Sequence, residues 1–321
     1  MTGTVLVDVR GVSRFYGDHC AVNNISFTVA RGQVLGFLGP NGAGKTTTMN
    51  MLTGNLSPTA GAILIDGHDI LDEPRTAKAA IGYLPEQPPL YRELTVNEFL
   101  DYCAALNRIP RERRRAAREA AKEKCGLGSV SERLIGNLSK GYQQRVGIAQ
   151  AIIHMPPVVI LDEPTVGLDP IQIREIRELI RDLGREHGVI LSTHILPEVQ
   201  TTCDRVQIIS DGQLVLTDSI DGLEQQMKSA SLTVSFAAAP DIQVLQDLPG
   251  VTAVEPQREG RIRIVYAPDT DPTEEIVRRS VEQHWNLREL RPGRVSLEEI
   301  FLRLTTEEAA QDGATETESA T

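Results

Sequence analysis

The sequence predicts an α/β protein in which a mostly parallel sheet is followed by a small α+β domain. Strand-like and helical segments alternate through most of the 321 residues, as they do in sheets covered by helices on both faces. The runs at residues 34–38 and 158–161 are apolar or glycine throughout, which is typical of central parallel strands. Beyond about residue 230 the order of elements becomes β-α-β-β-α-β, the order of a ferredoxin-like unit.

Each element of the first domain is predicted from a local pattern. Runs rich in Val, Ile and Leu predict strands at residues 5–9, 25–29, 34–38, 62–65, 81–85, 158–161, 189–192, 205–209 and 213–216. Helical patterns cover residues 45–53, 95–154 and 171–187. Thr95 is expected to cap the second of these, because Glu98 three residues later completes a capping box.

The second domain is predicted from the same kinds of pattern. Its strands are expected at residues 232–236, 251–255, 261–266 and 287–291, and its helices at 241–248 and 272–284. We therefore predict domains at residues 1–225 and 226–305, with a short closing helix at 296–304. Residues 306–321 have five acidic residues, no basic residue and no aliphatic anchor, so this tail is expected to be disordered.

Composition and charge narrow the classes of function. The formal net charge is −11 at pH 7, so nucleic acid is not expected as a partner. No apolar run reaches the ~18–20 residues of a membrane-spanning helix, and the first residues lack the pattern of a secretory signal. The four cysteines form no C-x-x-C pair and predict free thiols. These features predict a cytoplasmic protein.

A glycine-rich segment follows the apolar run at residues 34–38. It reads Gly39, Pro40, Asn41, Gly42, Ala43, Gly44, Lys45, Thr46 and Thr47, and it fits G-x-x-x-x-G-K-[ST]. Between a strand and a helix, such a loop closes backbone N–H groups around phosphate oxygens, and the helix N-terminus adds partial positive charge. Lys45 would reach the β- and γ-phosphates, and the Thr46 hydroxyl would ligate Mg²⁺. The segment therefore predicts a site for ATP and Mg²⁺.

Three further residues are candidates for the same chemistry. Asp162 follows a buried strand, where a carboxylate can hold Mg²⁺ through water beside a phosphate-binding loop. Glu163 could polarise the attacking water as a general base. Ser139 can cap a helix that begins near Gly141, and such a helix start can also bind an anion. Alone, this serine favours a plain helix cap; its place shortly before the Asp162 strand favours the anion site.

In these motifs and their order, the chain resembles the ATP-binding subunits of ABC transporters over about residues 5–220. The resemblance assigns a Walker A loop to residues 39–47, a signature segment to 138–142, Walker B to 158–162 and a D-loop to 166–169. It implies that Glu163 and Lys45 are catalytic, that His194 contacts the γ-phosphate side, and that Tyr16 stacks on adenine. The signature residues and the C-terminal extension are most similar to those of ABC-2-type exporters.

The resemblance also implies an architecture and partners. The fold would be that of a P-loop NTPase of the ABC type, with an N-terminal antiparallel β subdomain and a helical subdomain at about residues 90–155. Two copies, or this chain and a homologous ATP-binding subunit, would bind ATP head to tail. Ser139 and Gly141 of one subunit would then face the Walker A loop of the other. A separate integral membrane permease subunit would hold the protein at the inner face of the cell membrane.

Two segments depart from the family pattern, the signature and the Q-loop. Lys140 and Tyr142 stand where the usual signature, Leu-Ser-Gly-Gly-Gln, has glycine and glutamine. The Q-loop position holds Glu86, which we expect to contact ATP and Mg²⁺, while a register shift that brings in Gln87 stays open. A soluble ABC-type protein acting on ribosomes or DNA is disfavoured by the single P-loop and the lack of a long heptad insertion. A generic P-loop kinase or GTPase is disfavoured by the signature segment.

Overall fold

The computed structural model describes residues 4–220, 222–223, 231–267 and 270–293. The chain divides into two compact units after Ile220, close to the boundary expected at residue 225. The expected closing helix at residues 296–304 and the expected acidic tail at 306–321 lie outside the described residues. All four cysteines are free thiols. Within the described residues, no helix combines the length and apolar character needed to cross a membrane.

An antiparallel sheet opens the first unit. Its strands are β1 (Val5–Tyr16), β2 (His19–Ala30), β4 (Ala60–Ile65) and β5 (His68–Asp69), in the order β2-β1-β4-β5. Strands β1 and β2 are longer than predicted. β1 continues past Gly11, whose φ of 56° lies where the pairing with β2 shifts register. A glycine tolerates this left-handed conformation, so the strand bends there and continues to Tyr16.

A six-stranded sheet forms the centre of the same unit. Its strands are β3 (Val34–Leu38), β6 (Ile81–Leu84), β7 (Val158–Asp162), β8 (Gly188–Thr193), β9 (Arg205–Ser210) and β10 (Gln213–Ser219). They lie in the order β10-β9-β3-β8-β7-β6, and every pair is parallel except β9 and β10. Strands β3, β7 and β8 are buried at every residue, as their apolar runs predict. The predicted α/β class is confirmed.

Seven helices of the first unit are described in full. They are α1 (Lys45–Leu52), α2 (Pro74–Ala79), α3 (Val96–Leu106), α4 (Arg111–Lys124), α5 (Lys140–Ile152), α6 (Pro170–Gly184) and α7 (Leu196–Thr202). The helical pattern predicted over residues 95–154 is therefore three helices. The chain leaves the first at Arg108, with φ 56°, before Pro110, and leaves the second at Gly126, with φ 66°. The capping box of α3 is confirmed, since Thr95 and Glu98 exchange side-chain and backbone hydrogen bonds.

Helix α7 packs closely on the central sheet at Gly36 of β3. A Cβ atom added to Gly36 would lie 2.7 Å from Cγ1 of Val199 and 3.0 Å from Sγ of Cys203. Real Cβ atoms do not approach other atoms this closely, so a side chain at residue 36 would push the helix outward. The missing side chain therefore sets the distance between α7 and the sheet.

The second unit has the predicted ferredoxin-like order. Its elements are β11 (Ser231–Phe236), α8 (Ile242–Gln246), β12 (Val251–Pro256), β13 (Arg261–Tyr266), α9 (Thr273–Glu282) and β14 (Leu287–Pro292). The strands form an antiparallel sheet in the order β12-β13-β11-β14. Trp285 is buried in its core, edge-on to Phe236, with the ring centroids 5.7 Å apart.

Candidate nucleotide-binding site

The glycine-rich loop joins the end of β3 to the start of α1. Gly42 and Gly44 have φ values of 85° and 104°, which favour glycine, and Gly44 directly precedes the helix. A Cβ atom on Gly39 would lie 2.4 Å from the carbonyl oxygen of Ile209, and one on Gly44 would lie 2.6 Å from that of Ala21. The loop is therefore packed against neighbouring backbone at both ends, and its shape depends on these glycines.

A cavity of about 490 Å³ opens beside this loop. The predicted site residues in its wall are Tyr16, Asn41, Gly42, Gly44, Lys45, Thr46, Thr47, Glu86, Glu163 and His194. His19 and Ala21 also line it and were missed, and Val166 lines it from the segment expected to be the D-loop. His19 pairs with Tyr16 across the hairpin of β1 and β2, so the short turn at Gly17 and Asp18 was the available signal. The structure thus gathers residues that are as far as 178 positions apart, from Tyr16 to His194.

Lys45 is the buried cation of the cavity. Its Nζ atom donates to the carbonyl oxygens of Gly39, at 2.8 Å, and Pro40, at 3.0 Å, and lies 3.8 Å from Oε1 of Glu163. Burial lowers the pKa of Lys45, and the negative charges of Glu163 and Asp162 oppose that change. Gly39 and Pro40 thus meet Lys45 through their carbonyl groups, while Ala43 is buried within the loop.

Glu163 and His194 form a hydrogen bond at the edge of the cavity. Nδ1 of His194 lies 2.9 Å from Oε2 and 3.0 Å from Oε1 of Glu163. Strands β7 and β8 are adjacent and parallel, so the residues that follow them emerge at the same edge of the sheet. The backbone N–H of Glu163 donates to the carbonyl oxygen of Ser192 at 2.9 Å. Glu163 has a φ of 48°, in the left-handed region.

Asp162 lies behind the cavity wall. The residue is 1% exposed, and its Oδ1 atom has no hydrogen-bond partner among the described residues. Burial raises the pKa of Asp162, the hydroxyl of Ser192 opposes this change, and the nearby carboxylates of Glu163 and Glu86 add to it. Burial, together with the charge of Asp162, also raises the pKa of Tyr83 to about 12. A buried carboxylate oxygen without a partner, close to other carboxylates, is suited to a hard cation such as Mg²⁺.

The structure places Glu86 in the cavity wall, and Gln87 is not among the lining residues. Glu86 follows β6, which lies beside β7 in the sheet, so both acidic segments reach the same edge. Tyr16 is 48% exposed at the other side of the cavity, and the guanidinium carbon of Arg14 lies 4.8 Å from the centre of its ring. This cation–π contact orients the ring and leaves much of it open to stacking.

Ser139 and Gly141 do not join this cavity. Ser139 caps α5, where its hydroxyl accepts a hydrogen bond from the backbone N–H of Tyr142. Both residues line a separate cavity of about 390 Å³, together with Asp169 and Gln172. A Cβ atom on Gly141 would lie 2.6 Å from Cδ of Gln172, so glycine permits this contact. The signature segment and the Lys45 loop therefore stand apart within one chain.

Comparison with known proteins identifies the family of this chain. Residues 22–166 match the family model described as ABC transporter. The chain is 32% identical over 299 residues to an uncharacterized ABC transporter ATP-binding protein, YxlF, of Bacillus subtilis (strain 168), covering 93% of this chain and 99% of the relative. It is 35% identical over 306 residues to Nod factor export ATP-binding protein I of Rhizobium sp. (strain N33), covering 95% and 98%.

A solved structure supports the same assignment. The chain is similar to the dimeric structure of a post-hydrolysis state of the ATP-binding cassette MJ0796 bound to ADP and Pi, at 26% identity and a TM-score of 0.60. The match covers 67% of this chain and 99% of the cassette. The chain therefore belongs to the family of ABC transporter ATP-binding proteins, and it is an ATPase subunit of a transporter.

Proposed function

We propose that the protein powers an exporter by binding ATP between two subunits and hydrolysing it there. One wall of each site would be the Lys45 loop of one subunit, and the other wall would be the Ser139 segment of the second. The second subunit is another copy of this chain or a homologous ATP-binding subunit. Separation of the subunits after hydrolysis would drive a separate membrane permease.

One observation carries this proposal. A single chain offers two half-sites with complementary chemistry, one with Lys45, Glu163 and His194, and the other with the N-terminus of α5 at Ser139. A helix N-terminus attracts phosphate charge through its backbone N–H groups and dipole. Since the two half-sites line separate cavities, a second chain is needed to enclose one triphosphate. The similarity to a dimeric cassette bound to ADP and Pi supports this arrangement.

The residues of the cavity have distinct tasks in the proposed reaction. Lys45 would bind the β- and γ-phosphates, and Tyr16 would stack on adenine. Glu163 would accept a proton from the attacking water. With hydrogens on both ring nitrogens, His194 would donate from Nδ1 to Glu163, which orients that carboxylate, and from Nε2 to the γ-phosphate.

Thr46, Asp162 and Glu86 are the residues that would hold Mg²⁺. The unpartnered Oδ1 atom of Asp162 and the lining positions of the other two supply oxygen ligands, and Mg²⁺ normally adds substrate phosphates to one or two carboxylates. When bound, Mg²⁺ neutralises the charge that develops on the transferred phosphoryl group. The chain's own contribution is to fix these oxygens at one edge of the sheet.

The proposal includes a direction of transport and a place of the protein in the cell. One relative is named for the export of Nod factor, which supports an exporter. The protein would be cytoplasmic and would lie at the inner face of the membrane through the permease, which would also select the substrate. Its net charge of −11 disfavours nucleic acid as an alternative partner.

Glu163→Gln tests the proposal. The amide cannot accept the proton from water, so ATP persists and the closed dimer accumulates. We expect light scattering coupled to size exclusion to give twice the monomer mass with saturating ATP and Mg²⁺, and the monomer mass without nucleotide. Glu186→Gln, which changes an exposed carboxylate paired with Lys124, is the control and should hydrolyse ATP like the wild type. A Glu163→Gln protein that stays monomeric at saturating ATP would exclude two copies of this chain as the pair, and wild-type hydrolysis by this variant would overturn the proposal.

A further inference from the structure

One buried carboxylate of the first unit lies outside the cavity and outside all the motifs above. Glu198 lies in the first turn of α7, and none of the residue is exposed to solvent. An ionised carboxylate in such a place costs several kcal/mol unless it is paired and hydrogen-bonded. Its contacts should therefore explain its position.

The two carboxylate oxygens of Glu198 contact three separate segments of the chain. Oε1 accepts a hydrogen bond from the hydroxyl of Thr165 and lies 3.6 Å from Nη2 of Arg177. Oε2 accepts a hydrogen bond of 2.8 Å from the hydroxyl of Thr193. Both threonines are buried, so these bonds are shielded from water and strong. Glu198 thus links three segments through one charged group.

The two threonines are close in sequence to the residues of the candidate site. Thr165 comes two residues after Glu163, and Thr193 directly precedes His194. The Thr193 hydroxyl also accepts a hydrogen bond from the backbone N–H of Ile195, at 3.1 Å. The hydroxyl of Thr193 thus donates to Glu198 and accepts from Ile195, so it fixes the backbone both before and after His194. The carboxylate of Glu198 therefore connects the two loops whose side chains form the Glu163–His194 hydrogen bond.

The surroundings hold Glu198 itself in place. Helix α7 approaches the sheet closely because Gly36 has no side chain against Val199, the residue after Glu198. Arg177 lies on α6, which begins directly after the D-loop at Asp169. Helix α6 and the loops after β7 and β8 therefore all contact the carboxylate of Glu198.

We propose that Glu198 is a positioning residue, which holds the Glu163 loop and the His194 loop at the spacing needed for hydrolysis. The inference rests on the proposed function, because it gives Glu163 and His194 their catalytic tasks. Glu198 touches neither nucleotide nor water in this proposal and acts only through Thr165 and Thr193. If Glu198 had only a structural role, its loss would lower the stability of the fold but leave the Glu163–His194 hydrogen bond unchanged.

Glu198→Gln tests this inference in the full-length protein. Glutamine keeps the shape, but it removes the charge and replaces one of the two acceptors with a donor. We expect kcat for ATP hydrolysis to fall about 10- to 100-fold, as for other small displacements of catalytic groups. The KM for ATP and the Kd for a fluorescent ATP analogue should stay within about twofold, because the Lys45 loop is unchanged. Gln200→Ala, on an exposed residue of the same helix, is the control and should keep the wild-type kcat.

A pair of variants at Thr193 tests the same inference without changing the charge of Glu198. Thr193→Val removes one hydroxyl at nearly constant volume and should lower kcat. Thr193→Ser restores the hydroxyl and should recover wild-type kcat within about twofold. If Glu198→Gln does not fold, this pair alone carries the kinetic test. Equal kcat in the valine and serine variants would overturn the inference.

A spectroscopic readout separates positioning from stability. The chain has six histidines, so the imidazole nitrogen signals can be resolved by NMR, and the signal absent from His194→Gln is that of His194. Glu198→Gln should shift this signal by weakening the hydrogen bond to Glu163. An unchanged His194 signal together with a lowered melting temperature would overturn the inference. Wild-type hydrolysis by Glu163→Gln would refute the proposed function instead, and the His194 signal would still report on positioning.

Discussion

Nζ of Lys45 lies 3.8 Å from Oε1 of Glu163, inside a cavity where Lys45 also donates to two carbonyl groups of its own loop. The same carboxylate accepts from His194. Glu163 is therefore shared between a cation that would bind phosphate and an imidazole beside it. A triphosphate bound as proposed would compete with Glu163 for the ammonium of Lys45 and would so couple nucleotide binding to the proposed base.

Lys45→Ala should abolish tight ATP binding. The substitution removes the buried ammonium, and a hydrogen bond to a charged group contributes ~1.5–3 kcal/mol, so we expect the Kd to rise at least about 10-fold. Titration with a fluorescent ATP analogue measures this. The exposed Lys78 is the matched control, because Lys78→Ala removes the same charge away from the cavity. Tight binding by Lys45→Ala would contradict the assignment.

Tyr16→Ala should weaken ATP binding without affecting the phosphate contacts. Stacking of an aromatic ring on a base contributes ~1–3 kcal/mol, so the Kd for ATP should rise about 5- to 150-fold. Tyr16→Phe keeps the ring and should bind like the wild type. The affinity for inorganic triphosphate should be the same in all three proteins. Phe15→Ala changes an exposed neighbour that does not line the cavity, and a loss of affinity there would argue against stacking at Tyr16.

Gly39→Ala should destabilise the protein through a steric clash. The added Cβ atom would lie 2.4 Å from a backbone oxygen of Ile209, which cannot swing away as a side chain can. Overpacking of this kind costs about 1–3 kcal/mol, and urea unfolding measures it. At Gly128 an added Cβ meets nothing within 4 Å, so Gly128→Ala should change the free energy of unfolding by less than about 1 kcal/mol. Equal effects at both positions would contradict the prediction.

Acid should weaken the fold through two histidines. Burial lowers the pKa of His187, whose Nδ1 lies 2.6 Å from the carbonyl oxygen of Pro156, and burial also lowers the pKa of His154. The folded rings therefore bind protons less readily than the same rings in the unfolded chain, which bind them near pH ~6.5. The unfolded state therefore gains protons first, so the stability present above that pH is lost as the pH falls toward the lowered folded pKa values.

His187→Gln isolates this effect. Urea unfolding of the wild type between about pH 7.5 and pH 5.5 should show a decrease in the free energy of unfolding, with up to ~1.4 kcal/mol from each unit by which the pKa of a ring is lowered. The variant should show a smaller decrease over the same range, because one of the two rings is gone. Carboxylates other than the neighbouring Glu186 contribute equally to both proteins and cancel in the difference. An identical pH dependence in both proteins would refute the assignment to His187.

Most of the candidate site could be predicted because its motifs are contiguous in sequence. The loop from Gly39 to Thr47 and the acidic pair after β7 each lie within one short segment, and the parallel sheet brings the ends of its strands to one edge. Tyr16 and His194 entered through the family resemblance. His19 was missed because a histidine in a hairpin has no pattern of its own.

The parts that could not be predicted depend on tertiary contacts. β1 was expected to end at residue 9, but pairing with β2 and β4 carries it through the bulge near Gly11 to Tyr16. Helix α7 was missed because it has only seven residues and contains Pro197. The burial of Glu198 is invisible in the sequence, where a glutamate in the first turn of a helix is ordinarily solvated. Its partners, Thr165, Arg177 and Thr193, lie in separate segments, and no sequence pattern indicates that these segments meet.

The left-handed backbone of Glu163 has a consequence for the order of residues at the end of β7. In a continuing strand, two consecutive side chains point to opposite faces, so neighbouring acids could not serve one pocket. The φ of 48° breaks that alternation, and the charges of both Asp162 and Glu163 act on the Lys45 ammonium. Two adjacent acids can therefore act on the same ammonium, in a backbone conformation that a glycine would adopt more readily.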